Sequence, residues 1–250
     1  MFAKITAAFA AGVSVDTVLT GQPTVPGGTL HGEVRFTAGR VDYTVQATTL
    51  GFHAEDRGDQ VQRFPFHRAR VSDRFVLRPG DNRTIPFRTT LPAETPVCTV
   101  SGHRLPDLRL GVTTELALEH ALDKSDSDPV WTIPSPAQET VTTALHALGF
   151  SFDRARLAAG APPGSAMPFH QEIRYWPTGE FRQLFTSVSL GFVTGVDGLR
   201  VLVDADRPTG ALSHAAAVDL AVDGLDSHAV AGALRDRLHE LATRRPPAGG

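Results

Sequence analysis

The chain has 250 residues, 41% of them hydrophobic and 20% charged, with a formal net charge of −3. That is room for one large or two modest domains, and the charge balance points away from nucleic acid and anionic membrane as partners. Cys98 is the only cysteine, which excludes an internal disulfide and a thiolate metal cluster within the chain, and favours a reducing compartment.

The opening stretch, MFAKITAAFAAGV, has too short an apolar run for a signal peptide. Phe2, Ile5 and Phe9 fall on one side of a helical wheel, so a short N-terminal amphipathic helix is expected. From Val13 to Phe36 the period changes to two. Leu30, Gly32, Val34 and Phe36 alternate with His31, Glu33 and Arg35, which marks a half-buried strand. Pro26-Gly27-Gly28 supplies the turn before it. Val41, Tyr43, Val45, Ala47 and Thr49 alternate again, with Leu50 and Phe52 continuing. Glu55 to Gln60 reads as a loop. Arg78-Pro79-Gly80-Asp81 is a second turn, leading into Ile85, Phe87, Thr89 and Leu91. Pro86 in that run calls for an edge strand or a bulge.

Pro92 to Pro106 reads as a long connection. Leu108, Leu110, Val112, Thr114, Leu116 and Leu118 then give the longest clean alternation in the chain. Asp123 to Asp128, DKSDSD, reads as an acidic loop, and Val130 to Ile133 as a short strand. Ser135-Pro136-Ala137-Gln138 has the grammar of a capping box with proline at the first helical position. Val141, Ala144, Leu145 and Leu148 recur at helical spacing, and Gly149 stands where a left-handed C-terminal residue is expected. This helix, 136–148, marks the domain boundary.

A second β set follows. It begins at Phe150 and Phe152, with a Pro/Gly/Ala loop at 158–168. Phe169, Gln171, Ile173 and Tyr175 alternate with His170, Glu172, Arg174 and Trp176. Leu184–Val193, Leu199–Val203 and Val218–Val222 complete it. Ser227 is expected to cap a final helix carrying Val230, Leu234, Leu238 and Leu241 on one stripe, and 244–250 is expected to be a disordered tail. Many short strands separated by turn signals predict a mostly β fold of antiparallel sandwiches. The expected domains are a sandwich over 1–134 and a second over 135–226, followed by the helix 227–243.

No dinucleotide fingerprint, P-loop, nucleophile elbow or zinc-protease helix motif is present. Asp123, Ser125, Asp126 and Asp128 offer oxygen ligands for a cation, but the run lacks the glycine and late glutamate of a calcium loop, so it reads as a solvated loop. Cys98 has no neighbouring base and reads as a structural thiol. His146 and His239, on expected helices, read as surface or satisfied histidines. Phe169, Tyr175 and Trp176 put aromatics on both faces of one strand, read as buried. No catalytic, cofactor-binding or metal-ligating residue is assigned.

Several stretches together carry a family likeness. They are Val15-Asp16-Thr17-Val18-Leu19, Val25-Pro26-Gly27-Gly28, Leu77-Arg78-Pro79-Gly80 before Ile85-Pro86-Phe87, Leu91-Pro92 with Thr95-Pro96, Leu116 through Asp128, Leu145 to Phe150, and Pro168-Phe169-His170-Gln171-Glu172. In order and spacing the chain resembles the bacterial sporulation-control proteins of the arrestin clan over about residues 1–225. That resemblance implies two arrestin-like β-sandwiches in tandem and a cytoplasmic scaffolding or regulatory role linked to sporulation, the cell cycle or division. It implies no catalytic residues and no cofactor. The expectation is a non-enzymatic adaptor that binds protein partners. A hydrolase with a site at the domain junction and a cation-binding sandwich using the acidic loop are the alternatives.

Overall fold

The computed structural model describes residues 7–8, 12–118, 122–195, 198–208, 214–221 and 224–243. Strands dominate, with two α-helices among the described residues. The chain packs as two compact units, Met1–Thr95 with Arg109–Thr132, and Pro96–Leu108 with Ile133–Gly250.

In chain order the first strands are β1 (Ala7–Ala8), β2 (Ser14–Thr20), β3 (Thr29–Thr37), β4 (Tyr43–Asp56), β5 (Gln62–Ser72), β6 (Phe75–Leu77) and β7 (Asn82–Thr90). The chain then passes into the second unit as a minimal hairpin, β8 (Thr99–Val100) and β9 (His103–Arg104). It returns to the first as β10 (Leu108–Leu118) and β11 (Leu122–Val130). The first unit holds two antiparallel sheets, ordered β1-β2-β3-β7 and β11-β10-β4-β5, with β6 pairing the start of β4. Leu30, Val34 and Phe36 are buried as their alternation requires. The two sheets meet where Thr17 and Thr114 share a hydrogen bond of 2.5 Å and where Phe36 lies edge-on to Phe75, ring centroids 5.2 Å apart. β7 is the last strand of its sheet, which is why Pro86 is tolerated there.

Several expectations change in this unit, among them the short strand 130–133, since β11 ends at Val130. Phe2, Ile5 and Phe9 of the expected N-terminal helix lie outside the described residues, but Ala7–Ala8 within it are strand, paired with Val15 and Ser14. In β4 the inward set switches parity: Val45 is buried, then Thr48, Leu50 and Phe52 rather than Ala47 and Thr49. The switch falls where β4 passes from pairing β6, at Val45, to pairing β5, at Thr48. The expected loop 55–60 starts later, because β4 runs through Asp56. The acidic run 123–128 is no loop but part of β11, laddered against β10, so neighbouring tertiary hydrogen bonds overrule its polar composition.

The second unit contains α1 (Pro136–Ala147), β12 (Phe150–Ala159), β13 (Phe169–Pro177), a 3-10 turn at Glu180–Gln183, β14 (Ser187–Thr194), β15 (Leu199–Asp206), β16 (His214–Leu220) and α2 (Ser227–Thr243). The capping box forms as expected. The Gln138 N–H donates to Ser135 Oγ at 3.3 Å, and the Ser135 N–H donates to Gln138 Oε1 at 2.9 Å. Gly149 ends α1 at φ +80°, and a Cβ there would stand 2.8 Å from Gly179 Cα, so both conformation and space require glycine. α2 is capped by the Asp226 carboxylate, which accepts from the Ala229 N–H at 3.0 Å, rather than by Ser227. The expected stripe Val230, Leu234, Leu238 and Leu241 is buried.

Strands β12 to β16 form one antiparallel meander in sequence order. Ile173 opposes Leu190, Tyr175 opposes Val188, and Leu190 opposes Val203, so these buried side chains share a face. The His146 ring of α1 meets Tyr175 edge-on at 6.0 Å, and α2 packs on α1 and β16. Where a second sandwich is expected, the described residues of this unit hold a single five-stranded sheet and the β8–β9 pair. Helices meet the apolar face of the large sheet. The amphipathic stripes of α1 and α2 do here what a facing sheet does in a sandwich. Residues 244–250 lie outside the described residues.

Candidate functional site

Thr113 and Thr114 are neighbours in β10 and point to opposite faces of the strand. Thr114 faces the first unit's core, and Thr113 belongs to a polar cluster on the other side. His53, only 4% exposed, stands at its centre, beside a register shift between β4 and β5 that leaves Phe66 of β5 as the extra residue. Arg63 Nη2 of β5 donates to His53 Nδ1 at 2.9 Å and to Thr113 Oγ1 at 3.3 Å. A guanidinium only donates, so Nδ1 is the acceptor and the ring proton sits on Nε2. That Nε2–H then donates to Ser127 Oγ of β11 at 3.1 Å. Glu55 Oε1 lies 3.9 Å from both His53 Nε2 and Arg63 Nε. Burial, followed by the Arg63 charge, lowers the His53 pKa to about 4.

Serine, imidazole and carboxylate therefore meet, but in an order that does not activate a nucleophile. A triad histidine presents a bare Nε2 to serine and a protonated Nδ1 to a carboxylate. Here Nε2 carries the proton, Nδ1 faces a cation, and the carboxylate lies on the serine side. The arrangement ties four strands together. Gly111 of β10 makes room for it, since a Cβ there would stand 2.1 Å from Ser127 Oγ and 2.6 Å from His53 Nε2. On the same face Glu115, 5% exposed, accepts from Arg68 Nη2 of β5.

Those two arginines belong to a larger set. Residues 61–90 hold seven arginines and two aspartates, with no lysine or glutamate, a net +5 in a chain of −3. All seven guanidinium-bearing residues are exposed. Sequence reasoning overlooked this clustering. The signal was present as a local charge run, but its meaning depends on β5 and β7 being the outer strands of the two sheets.

In the second unit His170 Nε2 lies 3.2 Å from Glu172 Oε1 and Nδ1 lies 3.1 Å from the Gly160 carbonyl oxygen. Both ring nitrogens thus face acceptors. The Glu172 hydrogen bond raises the His170 pKa, and His170 lowers that of Glu172. Trp176 was expected to be buried. It is 45% exposed, with the Arg174 guanidinium 5.2 Å from its ring centroid. Phe169 and Tyr175, on the other face of β13, are buried. Cys98 is buried, as a structural thiol requires. His146 Nε2 bonds to Ser101 Oγ at 2.9 Å, and His239 lies against Phe181 at 5.0 Å. Asp123, Ser125, Asp126 and Asp128 all lie in the strand β11 rather than in a loop. Among the described residues no helix is long and apolar enough to cross a membrane.

Comparison with known proteins places this architecture. The sequence pattern of the SpoOM protein family matches residues 2–209. The chain belongs to the SpoOM family. It is 30% identical over 213 residues to the sporulation-control protein Spo0M of Bacillus subtilis strain 168, covering 82% of this chain and 80% of that protein. Its fold matches the crystal structure of Spo0M from Bacillus subtilis with a TM-score of 0.79 and 26% identity, over 91% of this chain and 98% of the other. The SpoOM pattern ends at residue 209, so β16 and α2 lie beyond it.

Proposed function

We propose that this chain is a cytoplasmic, non-catalytic regulatory protein that works as an adaptor by binding other proteins. Its first unit serves as an arrestin-like β-sandwich, and its second as a one-sheet partner domain closed by helices. The observation that carries the reading is kinship over most of the chain with a protein named for sporulation control. By that kinship, the process regulated is sporulation or a related step of the cell cycle or division. The reversed proton order at His53 and Ser127 supports the non-catalytic half of the reading. The test is affinity capture of the tagged full chain from its own organism at native salt, with mass spectrometry. A reproducible partner set, lost when the chain is unfolded, is expected. Failure to recover any reproducible partner overturns the reading.

A further inference from the structure

The seven arginines of residues 61–90 do not share one plane. Arg63, Arg68 and Arg70 of β5 pair in register with Glu55, Gly51 and Thr49 of β4. They therefore share the face of the second sheet that carries His53 and Glu115. Arg88 of β7 pairs with His31, on the outer face of the other sheet. Arg74, Arg78 and Arg83 run along the rim between, where the guanidinium of Arg83 lies 4.4 Å from the centroid of the Phe75 ring. The His67–Thr89 hydrogen bond, 3.1 Å, ties β5 to β7 along this rim. The two aspartates in the segment are already engaged. Asp73 pairs with Arg70 at 2.9 Å, and Asp81 accepts from the Arg78 N–H at 2.8 Å. The result is a cationic edge with arginines on both outer faces and along the rim between them, on a chain whose remaining residues carry −8.

We propose that this edge, β5–β6–β7, docks an acidic, extended segment of a partner protein. The proposal rests on the adaptor reading and names its surface. The cations are all arginine, whose planar fork pairs two-pronged with carboxylates as it does with phosphates. Two features favour a polypeptide over a bilayer. A flat anionic membrane reaches the arginines on one outer face, whereas a flexible chain bends round the edge and meets both faces. Val61 and Val76, both exposed along the same segment, give an apolar residue something to rest on. Pro65 and Pro86 sit inside the two outer strands and interrupt their backbone donors, so recognition runs through side chains rather than through an added strand.

The probe is a fluorescein-labelled oligoglutamate peptide of about twelve residues, about 40 Å when extended, titrated with the full chain by anisotropy at low and physiological salt. Two charge-matched variants are compared, R74E/R78E/R88E on the edge and R182E/R235E/R237E on the second unit. Arg63 and Arg68 are left intact because they hold His53 and Glu115. Thermal melts confirm folding, and R74Q/R78Q/R88Q replaces the edge variant if it does not fold. Expected are salt-sensitive binding by the wild type, a loss of tenfold or more in the edge variant, and a change within about twofold in the other. No binding by the wild type, equal loss in both variants, or preferential sedimentation with phosphatidylglycerol vesicles over the peptide overturns the proposal. In-cell crosslinking separates the two readings. If the edge variant keeps the wild-type partner set, the edge proposal fails and the adaptor reading stands. If the wild type has no partner set, the adaptor reading fails.

Discussion

The two units solve one problem differently. The first covers the apolar face of a sheet with another sheet, and the second covers it with helices. The difference shows in where polarity goes. In the first unit the face turned from the core holds a buried histidine and a buried glutamate under an arginine-bearing strand. In the second, most charged groups facing away from the helices, such as Arg200 with Asp219, are exposed. A sheet stiffened by a closed polar network presents fixed cations at its edge, whereas an open polar face only keeps the domain wetted.

The comparison breaks first at the cores. Phe36→Ala in the first unit and Phe181→Ala in the second should each cost about 3–5 kcal/mol by urea denaturation. Only Phe181→Ala should weaken the helical far-ultraviolet signal, because both described helices belong to the second unit. Equal loss of helix in both variants would contradict that division.

Next comes pH. His53 has a folded pKa of about 4, below its ordinary 6.5, so the unfolded chain takes up the proton first. The stability this residue contributes is complete above pH 6.5 and is lost as pH falls towards 4, up to about 3 kcal/mol. His53→Gln should flatten that part of the curve of melting temperature against pH. His170 runs the other way. Its raised pKa contributes stability at low pH that is lost as pH rises through the folded value. His170→Gln should therefore steepen the acid loss, not relieve it.

Gly111→Ala pushes a methyl into Ser127 and His53 and should cost about 1–3 kcal/mol. Adding Ser127→Ala removes the tighter clash and should return part of that loss. The smallest effect is Ser135→Ala, about 1 kcal/mol through loss of the α1 cap, read by thermal melt.

Much of this was legible without coordinates. Ser135 and Gln138 announced α1 because a capping box is local chemistry, complete within four residues. Leu30, Val34 and Phe36 announced a buried face because strand alternation leaves no other solution. The parity switch in β4 was not legible, since it falls between Val45 and Thr48, where β4 passes from pairing β6 to pairing β5. The strand DKSDSDP was not legible either. Its residues favour a loop, and the long apolar β10 beside it supplies the ladder that holds them extended. The polar cluster escaped because His53, Arg63, Thr113 and Ser127 are up to 74 positions apart.

What the amino-acid order determined alone is local: the two periods, the turns, the cap of α1, and the charge run at 61–90. The fold decided what lies beyond a few residues' reach. It chose helices to cover the second sheet, set an imidazole between an arginine and a serine, and made edges of the strands bearing the arginines. The physical reason is range. Backbone preference and alternation act within a turn or two, while register, burial and edge position depend on which distant strand becomes a neighbour.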